Sequence, residues 1–556
     1  MSDAGLLELT RQAEHWVDFY RADNLCTAYQ LCDRHDPDAM AYRIIDSSLI
    51  ARDYTYRDLK EASERFSAAL QSLGVQAGDR VATLMGKGWP YLVTLMGIWR
   101  LGAVHVPLFT AFAPPAIALR LLGSKAKIVV CDQAQRAKLM PGEDIPVNAP
   151  WQIIATGEAA DGDHAFETLL SRFEPGMEAV VVGGKAPMIH IYTSGTTGNP
   201  KGVVVPVHAL AAFRAYAEFA LNLRPDDLYW CSADPGWAYG LYFGILASLV
   251  TGTRSMLFTS GFDADMTLNI MASQGVTNFS AAPTVYRSLR SADLTIPPGI
   301  RLRCATSAGE PLTPEVNDWA LRTLGVEVHD HYGQTETGMM INNHHHPLLK
   351  APLKPGSMGR PMPGWSAAVL HPDRDEAVGR NTVGRIAFDL RASPLAWFAG
   401  YYDDPAKSAE RFSPDGRWYL TGDTGYVDDD GYFHFSSRDD DVILMAGYRI
   451  GPFEVESVMS KHPAVAESAV ISVPDEVRGE VIEAFVVLRD PATAGEAVAT
   501  EIQQWVKKRY AAHAYPRKIH FANELPKTPS GKIQRAVLKK QRIAELVSTG
   551  GDRENR

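Results

Sequence analysis

The sequence predicts an α/β protein with a large N-terminal domain of several subdomains, in which helices pack against parallel sheets, and a small α+β domain at the C-terminus. The chain has 556 residues, which is more than one hydrophobic core ordinarily accommodates. Strand and helix patterns alternate over most of the chain, and beyond residue 440 short strands, two helices and turns replace them. We therefore predict two domains, at residues 1–438 and 439–556.

The alternation of elements is clearest in the first part of the chain. After an N-terminal helix, apolar residues recur at helical spacing from Tyr54, and Gly74 predicts the end of that helix. The elements that follow are a strand toward Val81, a helix at 89–101, a strand at 103–108, a helix at 117–122, a strand at 126–131, helices at 209–221 and 241–250, and strands at 228–233 and 326–330. This alternation favours a parallel sheet.

Composition narrows the class of protein. The net charge is −10 and no long basic run occurs, so nucleic-acid binding is not favoured. The five cysteines are scattered without a CxxC pair, which supports neither a disulfide framework nor a zinc site. The N-terminus lacks the apolar segment of a signal peptide, and no apolar run is long enough to span a bilayer. We therefore expect a cytoplasmic protein with no nucleic-acid or membrane partner.

A glycine- and hydroxyl-rich loop at residues 191–202 is the strongest single motif, with the sequence Ile-Tyr-Thr-Ser-Gly-Thr-Thr-Gly-Asn-Pro-Lys-Gly. β-prone residues flank it, so we predict a strand, a turn and a second strand. Gly195 and Gly198 allow a tight turn and close approach of the backbone to a ligand. The hydroxyls, the backbone N–H groups and Lys201 then form an anion site suited to a polyphosphate. It is not a Walker loop, because its lysine lies between a proline and a glycine.

A second motif lies at residues 330–338 and contains Tyr-Gly-Gln-Thr-Glu. Tyr332 offers an aromatic face to adenine, and Thr335 offers a hydroxyl to the α-phosphate. Glu336 offers the hard oxygen ligand that Mg²⁺ prefers. Together with the phosphate loop, this motif predicts a nucleotide site.

Two polar clusters, at residues 344–346 and 428–431, do not predict binding sites. The three histidines at 344–346 cannot all face one metal ion from a strand or a helix, so we predict a solvated loop. The acidic run at 428–431 ends in glycine and predicts a hairpin turn.

The combined motifs resemble those of the adenylate-forming superfamily, which includes acyl-CoA synthetases, luciferases and peptide-synthetase adenylation domains. The resemblance extends from about residue 30 to residue 545 and is strongest to the acetyl-CoA synthetase and medium-chain acyl-CoA synthetase group, through residues 447–456, 462–470 and 478–485. It implies an AMP-forming carboxylic acid:CoA ligase that uses ATP, Mg²⁺ and coenzyme A. It also implies that the C-terminal domain is a mobile lid with a hinge at Asp440.

The resemblance further implies roles for individual residues. Those implied to be catalytic are Lys532, Glu336, Lys201 and Thr196, with Glu336 also the metal ligand. Those implied to bind ATP or AMP are Thr193, Ser194, Gly195, Thr196, Thr197, Gly198, Lys201, Gly309, Glu310, Pro311, Asp330, His331, Tyr332, Gln334, Thr335, Asp423 and Arg438. Those implied to bind CoA are Gly447, Arg449, Arg478, Lys507 and Tyr515. The acyl pocket is assigned to Trp237, Ala238, Tyr239, Ala308 and Gly333.

The acyl pocket departs from the pattern of acetate-specific relatives. They have a tryptophan where this chain has Gly333, and the glycine is expected to leave that space open. Ala238 and Ala308 are also small, whereas Tyr239 refills part of the cavity. We therefore expect short- to medium-chain or branched acids as substrates. An acetate- or propionate-restricted enzyme, an aryl-acid:CoA ligase, a luciferase-like activity and a non-catalytic nucleotide-binding protein are the alternatives.

Lys532, near the C-terminus, is expected to reach the site during adenylation. Acetylation would neutralise its charge. A lysine acetyltransferase or deacetylase that acts on Lys532 is therefore an expected partner, beside the small carboxylic acid substrate.

Overall fold

The computed structural model describes residues 3–193, 200–292, 294–438, 441–445, 448–475, 479–510, 514–528 and 532–551, with the backbone alone at residues 3–4, 444, 448–449, 479 and 547–551. The α-helices are α1 Asp3–Arg21, α2 Tyr56–Ser72, α3 Trp89–Arg100, α4 Pro114–Ser124, α5 Phe166–Arg172, α6 Leu210–Ala215, α7 Ala247–Thr251, α8 Ala264–Gln274, α9 Pro283–Ser291, α10 Pro314–Thr323, α11 Pro405–Ala409, α12 Pro452–Met459, α13 Glu496–Arg509 and α14 Arg535–Gly551. Segments of π-helix lie at Tyr29–Asp33, Tyr216–Ala220 and Gly240–Leu246.

The strands are β1 Met40–Ile45, β2 Ala51–Thr55, β3 Arg80–Leu84, β4 Val104–Pro107, β5 Ile128–Cys131, β6 Gln152–Ala155, β7 His164–Ala165, β8 Pro187–Thr193, β9 Lys201–Pro206, β10 Tyr229–Cys231, β11 Ser255–Phe258, β12 Asn278–Ala281, β13 Cys304–Ala308, β14 Val328–Gln334, β15 Gly338–Asn342, β16 Ser357–Pro361, β17 Ala367–Leu370, β18 Gly384–Asp389, β19 Trp418–Val427, β20 Phe433–Arg438, β21 Ile443–Met445, β22 Tyr448–Ile450, β23 Val465–Asp475, β24 Gly479–Leu488 and β25 Lys518–Phe521.

Two large sheets form the N-terminal domain. The first has the strand order β17-β18-β19-β20-β16-β15-β14-β13-β12-β10-β11-β1-β2, and the second has the order β7-β6-β5-β3-β4-β8-β9. In the first sheet the pairs from β11 to β14 are parallel, and β14 pairs with β15 in the antiparallel sense. Ligands of α/β sheets bind beyond the carboxyl ends of parallel strands. The change at β14 therefore places the second motif at such an edge.

The C-terminal domain is built on a smaller sheet with the order β22-β21-β24-β23, and β25 pairs with β24. Its core includes Val455, Ile482 and Val506, which are buried between α12, α13 and the sheet. The prediction of a large N-terminal α/β domain followed by a small C-terminal domain is confirmed. The boundary between residues 438 and 439 stays a prediction, since residues 439 and 440 lie outside the described ones.

Local sequence signals determine several elements as predicted. Helix α2 begins after Thr55, whose side chain accepts a hydrogen bond from the Asp58 N–H while the Asp58 carboxylate accepts one from the Thr55 N–H. It ends before Gly74, which has a φ of 85°. The phosphate motif is flanked by β8 and β9, which pair in the antiparallel sense, so the prediction of a strand on either side of it is confirmed. The predicted turn at residues 194–199 lies outside the described residues.

The strand that carries the second motif is longer than predicted. A strand at 326–330 was expected to end before the motif, but β14 continues through Tyr332 to Gln334. The reason is its antiparallel partner β15, which pairs with the motif itself and so extends the ladder. A register shift between Tyr332 and Gly333 marks a bulge in this hairpin.

The prediction of a solvated loop for the histidine run is wrong. His344 and His345 are buried, and His345 packs against strands β13 and β14 of the first sheet. The His345 ring stacks on His329 at 3.6 Å between centroids, and its Nε2 lies 3.1 Å from the Ala305 carbonyl oxygen. Burial lowers the pKa of His344 to about 3, so the imidazole is neutral.

Candidate active site

The site is centred on Asp423, a carboxylate buried on β19. It accepts hydrogen bonds from Tyr332 Oη at 2.5 Å, from Gln334 Nε2 at 2.8 Å and from Arg438 Nη1 at 2.9 Å. The register of β19 with β20 places Asp423 directly opposite Arg438. Burial, with the Asp423 charge as a second cause, raises the pKa of the Tyr332 hydroxyl. Charge-assisted hydrogen bonds of this kind hold the four side chains in one geometry.

Glu336 lies at the turn between β14 and β15 and is 6% exposed. Its Oε1 accepts a hydrogen bond from Tyr401 Oη at 2.7 Å, and Tyr401 Oη in turn accepts one from Arg411 Nε at 2.9 Å. Lys201 Nζ lies 5.0 Å from the centre of the Tyr401 ring. Burial lowers the pKa of Lys201, and the nearby Arg411 guanidinium lowers it further. This connects the base of the phosphate loop with the second motif.

The donor set at Glu336 fits a magnesium ion that is held mainly by phosphates. Among the described residues, Tyr401 is the one hydrogen-bond partner of this carboxylate, through Oε1 alone. No group of three or more His, Cys, Asp or Glu side chains in the described part of the chain could hold a metal ion by itself. Mg²⁺ is commonly bound by one or two carboxylates together with substrate phosphates. Glu336 can supply the protein's share of that coordination.

The segment after β13 includes a glycine with open space around it. Gly309 has a φ of 102°, and a Cβ at this position would have no neighbour within 4 Å. Glu310 is held by Arg287, with Nη2 2.8 Å from Oε2. Asp330 is buried, its Oδ2 accepts the Leu312 N–H at 3.2 Å, and burial raises the pKa of its carboxyl to about 8. The backbone beside Gly309 is therefore accessible to a flat ring.

Lys532 extends from the C-terminal domain toward this cleft. The carboxylates of Glu310, Asp423 and Glu336 lie near enough to act on its ammonium group. The surrounding protein lowers the pKa of Lys532, and Glu310 opposes that effect. The side chain stays accessible to solvent. Its loop is held by Thr528, whose Oγ1 accepts the Lys532 N–H at 3.0 Å.

His331 was assigned to the nucleotide site, but its side chain lies inside the protein. The His331 imidazole is buried, with Nε2 2.9 Å from the Asn343 carbonyl oxygen and Nδ1 2.8 Å from the Tyr216 hydroxyl. Both ring nitrogens are therefore occupied inside the protein. Alternation along β14 directs this side chain to the opposite face of the sheet from Asp330, so the assignment of His331 to the nucleotide site stays a prediction that only its backbone could fulfil.

The structure also corrects the expectation for Gly333. A Cβ at this position would lie 2.1 Å from the Gly338 carbonyl oxygen and 2.7 Å from Met339 Cα. The space that a side chain at residue 333 would occupy is filled by the backbone of β15 across the bulge. The glycine therefore leaves no open pocket space. The glycine is required by the hairpin itself.

The other residues assigned to the acyl pocket lie around one region. Trp237 packs against Phe109 and Phe112, with ring centroids 5.2 and 5.5 Å apart. Ala308 is buried at the end of β13 and pairs with His331 on β14. Trp237, Ala238 and Tyr239 are all partly exposed. This segment and the end of β13 therefore bring small and aromatic side chains into the same region.

Of the expected CoA-binding residues, Lys507 and Tyr515 are neighbours, with Lys507 Nζ 5.5 Å from the centre of the Tyr515 ring. Arg449 lies on β22. The expected residues that lie outside the described ones are Ser194, Gly195, Thr196, Thr197, Gly198, Asp440, Gly447 and Arg478. Thr193 is the last residue of β8 and pairs with Lys201 at the base of the phosphate loop.

Sequence reasoning missed two residues that position the site, Tyr401 and Arg411. Tyr401 contacts Glu336 across 65 residues of sequence, and Arg411 acts on Glu336 through Tyr401, so no local pattern near Glu336 could find them. One signal was available, since adjacent aromatic residues precede an acidic pair and a proline at 401–405. An Asp-Pro pair favours the start of a turn.

Comparisons with known proteins agree with this geometry. The family model for AMP-binding enzymes matches residues 32–402, and the model for the C-terminal domain of AMP-binding enzymes matches residues 454–532. The chain is 36% identical over 533 residues to the acetyl-coenzyme A synthetase of Bacillus subtilis (strain 168), which covers 93% of this chain and 90% of that protein. It is 35% identical over 498 residues to the human mitochondrial acyl-coenzyme A synthetase ACSM4, with 88% and 84% covered.

Solved structures give the same result. The crystal structure of an acyl-CoA synthetase from Brucella canis is similar with a TM-score of 0.73 and 42% identity, and the match covers 95% of this chain and 96% of that one. The first family model spans the phosphate loop and the second motif, and the second family model ends at Lys532. The chain belongs to the family of AMP-binding enzymes.

Proposed function

We propose that the chain is an AMP-forming carboxylic acid:CoA ligase that acts on short- to medium-chain or branched acids. The observation that supports the proposal is that Lys532, from the C-terminal domain, lies within electrostatic range of the Glu336 and Asp423 carboxylates. In the first step a carboxylate oxygen attacks the α-phosphorus of ATP, and the bond to pyrophosphate breaks. In the second step the thiolate of CoA attacks the acyl carbonyl carbon, and AMP leaves.

The Asp423 cluster is suited to hold the nucleoside. Two of its hydrogen bonds come from neutral donors and one from Arg438, so the carboxylate is fixed before a ribose binds. The Tyr332 ring is anchored through its own hydroxyl, which leaves its face for adenine. Gly309, with free space in front of its Cα, offers the opposite wall.

The phosphates would meet Lys201 and Glu336. Mg²⁺, held by Glu336 and the phosphates, would neutralise charge on the leaving pyrophosphate. Tyr401 and Arg411 keep the Glu336 carboxylate in place, and they are positioning residues. Lys201 adds positive charge at the base of the phosphate loop. Little covalent chemistry is required of the protein, so fixed charges supply most of the rate enhancement.

Lys532 would act on the other side of the reacting atoms. Its ammonium group can stabilise negative charge on the carboxylate and the α-phosphate while the adenylate forms. The second step needs no such charge. We propose that the C-terminal domain then rotates about Asp440 and brings Gly447, Arg449, Arg478, Lys507 and Tyr515 to CoA. Because the Lys532 side chain is accessible, an acetyltransferase could neutralise it and a deacetylase could restore it.

The test is the release of AMP from ATP in the presence of CoA and a panel of straight, branched and aromatic acids. The proposal predicts AMP and the corresponding acyl-CoA in equal amounts with short- to medium-chain or branched acids. A preference for acetate alone, or for aromatic acids, would contradict the proposed acid class. Failure of every acid to release AMP would contradict the ligase activity itself.

A further inference from the structure

One carboxylate joins the two domains. Glu454, in the first turn of α12, accepts a hydrogen bond from Ser436 Oγ at 2.8 Å through Oε1. Its Oε2 accepts a hydrogen bond from the hydroxyl of Tyr510, the residue that follows α13. Ser436 lies on β20 of the first sheet, whereas α12 and α13 pack on the sheet of the C-terminal domain. We call Ser436, Glu454 and Tyr510 the Glu454 clamp.

The hydrogen bond between the domains is sheltered from water. Ser436 is 2% exposed, and Glu454 is partly buried. Burial, with the Glu454 charge as a second cause, raises the pKa of the Tyr510 hydroxyl, so this group stays a donor. A hydrogen bond is lost once its atoms separate beyond about 3.5 Å. The proposed rotation about Asp440 moves Glu454 relative to Ser436 and therefore breaks their hydrogen bond.

A glycine makes close contact across the same junction. Gly451 directly precedes α12, and a Cβ at this position would lie 2.4 Å from Ser436 Oγ and 2.6 Å from the Ser436 carbonyl oxygen. Its φ of −78° and ψ of 125° are accessible to any residue, so the backbone conformation does not require glycine. The close approach to β20 does require it. That approach depends on the orientation of the C-terminal domain.

Aromatic side chains meet beside the Glu454 clamp. Phe435 of β20 and Phe453 of α12 have ring centroids 6.0 Å apart at an interplanar angle of 63°. Ring pairs in this edge-to-face geometry contribute free energy beyond their buried area. The start of α12 therefore contacts adjacent residues of β20 through a hydrogen bond, a close backbone approach and a ring pair.

The orientation in which the Glu454 clamp is closed is also the one that places Lys532 at the cleft. Lys532 lies within electrostatic range of the Glu336 and Asp423 carboxylates. Arg449 and Lys507, which are expected to bind CoA in the second step, lie just before the clamp residues of their own segments. The closed clamp therefore accompanies the geometry of the first step, and the second step needs these segments to move.

We propose that the Glu454 clamp stabilises the domain orientation that serves adenylation, and that it must open before the thioester forms. This rests on the proposed ligase function and its domain rotation. Ser436, Glu454 and Gly451 are positioning residues, since they act through the orientation of Lys532. A contact made in one orientation alone shifts the balance between the two orientations by its own free energy. Weakening the clamp should therefore slow the first step and spare or accelerate the second.

The test measures both half-reactions on two variants. Pyrophosphate exchange with ATP and the acid that releases AMP fastest reports the first step. Thioester formation from CoA and the synthetic acyl-AMP of that acid reports the second. Ser436→Ala removes the hydrogen bond between the domains, and Gly451→Ala places a methyl group against β20. In each variant the ratio of exchange rate to thioester rate should fall about tenfold or more, the scale of one hydrogen bond to a charged group or of one overpacked methyl group.

Each variant has a matched control. Ser437, the next residue of β20, is equally buried, and its hydroxyl lies 2.8 Å from Thr424 Oγ1 within the first sheet. Gly495 precedes α13 as Gly451 precedes α12, and a Cβ at this position would have no neighbour within 4 Å. Ser437→Ala and Gly495→Ala should leave the ratio of the two rates unchanged. Thermal unfolding establishes that each variant is folded, and if Gly451→Ala is not, Ser436→Ala decides.

The outcomes separate the inference from the function beneath it. A ratio that stays at the wild-type value or rises in a folded Ser436→Ala or Gly451→Ala variant would overturn the inference while the ligase function stands. An equal fall of the ratio in the control variants would do the same. Failure of the wild-type protein to release AMP with any acid of the panel would overturn the ligase function and the inference together.

Discussion

Tyr401→Phe tests how Glu336 is held. The substitution removes the hydroxyl that donates to Glu336 at 2.7 Å and that accepts from Arg411 at 2.9 Å. A hydrogen bond to a charged group contributes roughly 1.5–3 kcal/mol, and about 1.4 kcal/mol is a factor of ten. If that contribution is realised in the adenylation step, pyrophosphate exchange should slow about 10- to 150-fold. The Mg²⁺ concentration for half-maximal rate should rise, because the carboxylate is no longer fixed.

The neighbouring residue provides the control for this prediction. Tyr402 packs on His190 with ring centroids 4.7 Å apart, and Tyr402→Phe retains that packing. The assay is acid-dependent exchange of labelled pyrophosphate into ATP over a range of Mg²⁺ concentrations, with thermal unfolding of each variant beside it. If Tyr401→Phe and Tyr402→Phe exchange pyrophosphate equally fast, Glu336 is not positioned through Tyr401, and the account of this part of the site is wrong.

Three further predictions concern the hairpin, a buried acid and the hinge. Gly333→Ala should destabilise the protein by about 1–3 kcal/mol in urea unfolding, because its Cβ would meet the β15 backbone, whereas Gly379→Ala, with open space around it, should not. Burial raises the pKa of Asp330 to about 8, so between about pH 4 and 8 its carboxyl is protonated in the folded protein and ionised in the unfolded chain, and the free energy of unfolding falls as pH rises from about 4 to 8. Asp330→Asn should flatten that dependence of stability on pH. Identical pH profiles for the variant and the wild type would contradict the prediction. Asp440→Pro fixes φ and should impair one half-reaction more than the other, and equal loss of both in a folded variant would count against the hinge.

Sequence patterns predicted the parts of the fold that depend on neighbouring residues. The capping residues of α2 and the hairpin of β8 and β9 need only a few adjacent side chains, and both elements lie where the patterns placed them. The phosphate loop and Tyr332-Gly333-Gln334-Thr335-Glu336 likewise identified the region of the cleft.

The predictions that were wrong or missing concern residues whose neighbours in the structure are distant in the sequence. Gly333 looks like an open position in the sequence, and only the pairing of β14 with β15 shows that backbone lies against it. His345 reads as polar, yet it stacks on His329 and is buried. The contact of Tyr401 with Glu336 spans 65 residues. Such contacts arise from tertiary packing, which no window of sequence contains.

The central claim is that one lysine of the C-terminal domain serves the first half-reaction. Lys527, five positions before it in the same loop, provides a matched control, since it is ion-paired with Glu467 at 2.9 Å. Lys527→Ala should therefore leave both half-reactions close to the wild-type rate.

The most direct measurement is made on Lys532→Ala in two assays, pyrophosphate exchange with acid and ATP, and thioester formation from synthetic acyl-AMP and CoA. Loss of one electrostatic stabiliser typically slows a step by ~10²-fold or more. The account predicts that loss for pyrophosphate exchange, and thioester formation close to the wild-type rate. Pyrophosphate exchange that survives in the alanine variant would contradict the account, because Lys532 would then be an ordinary surface lysine.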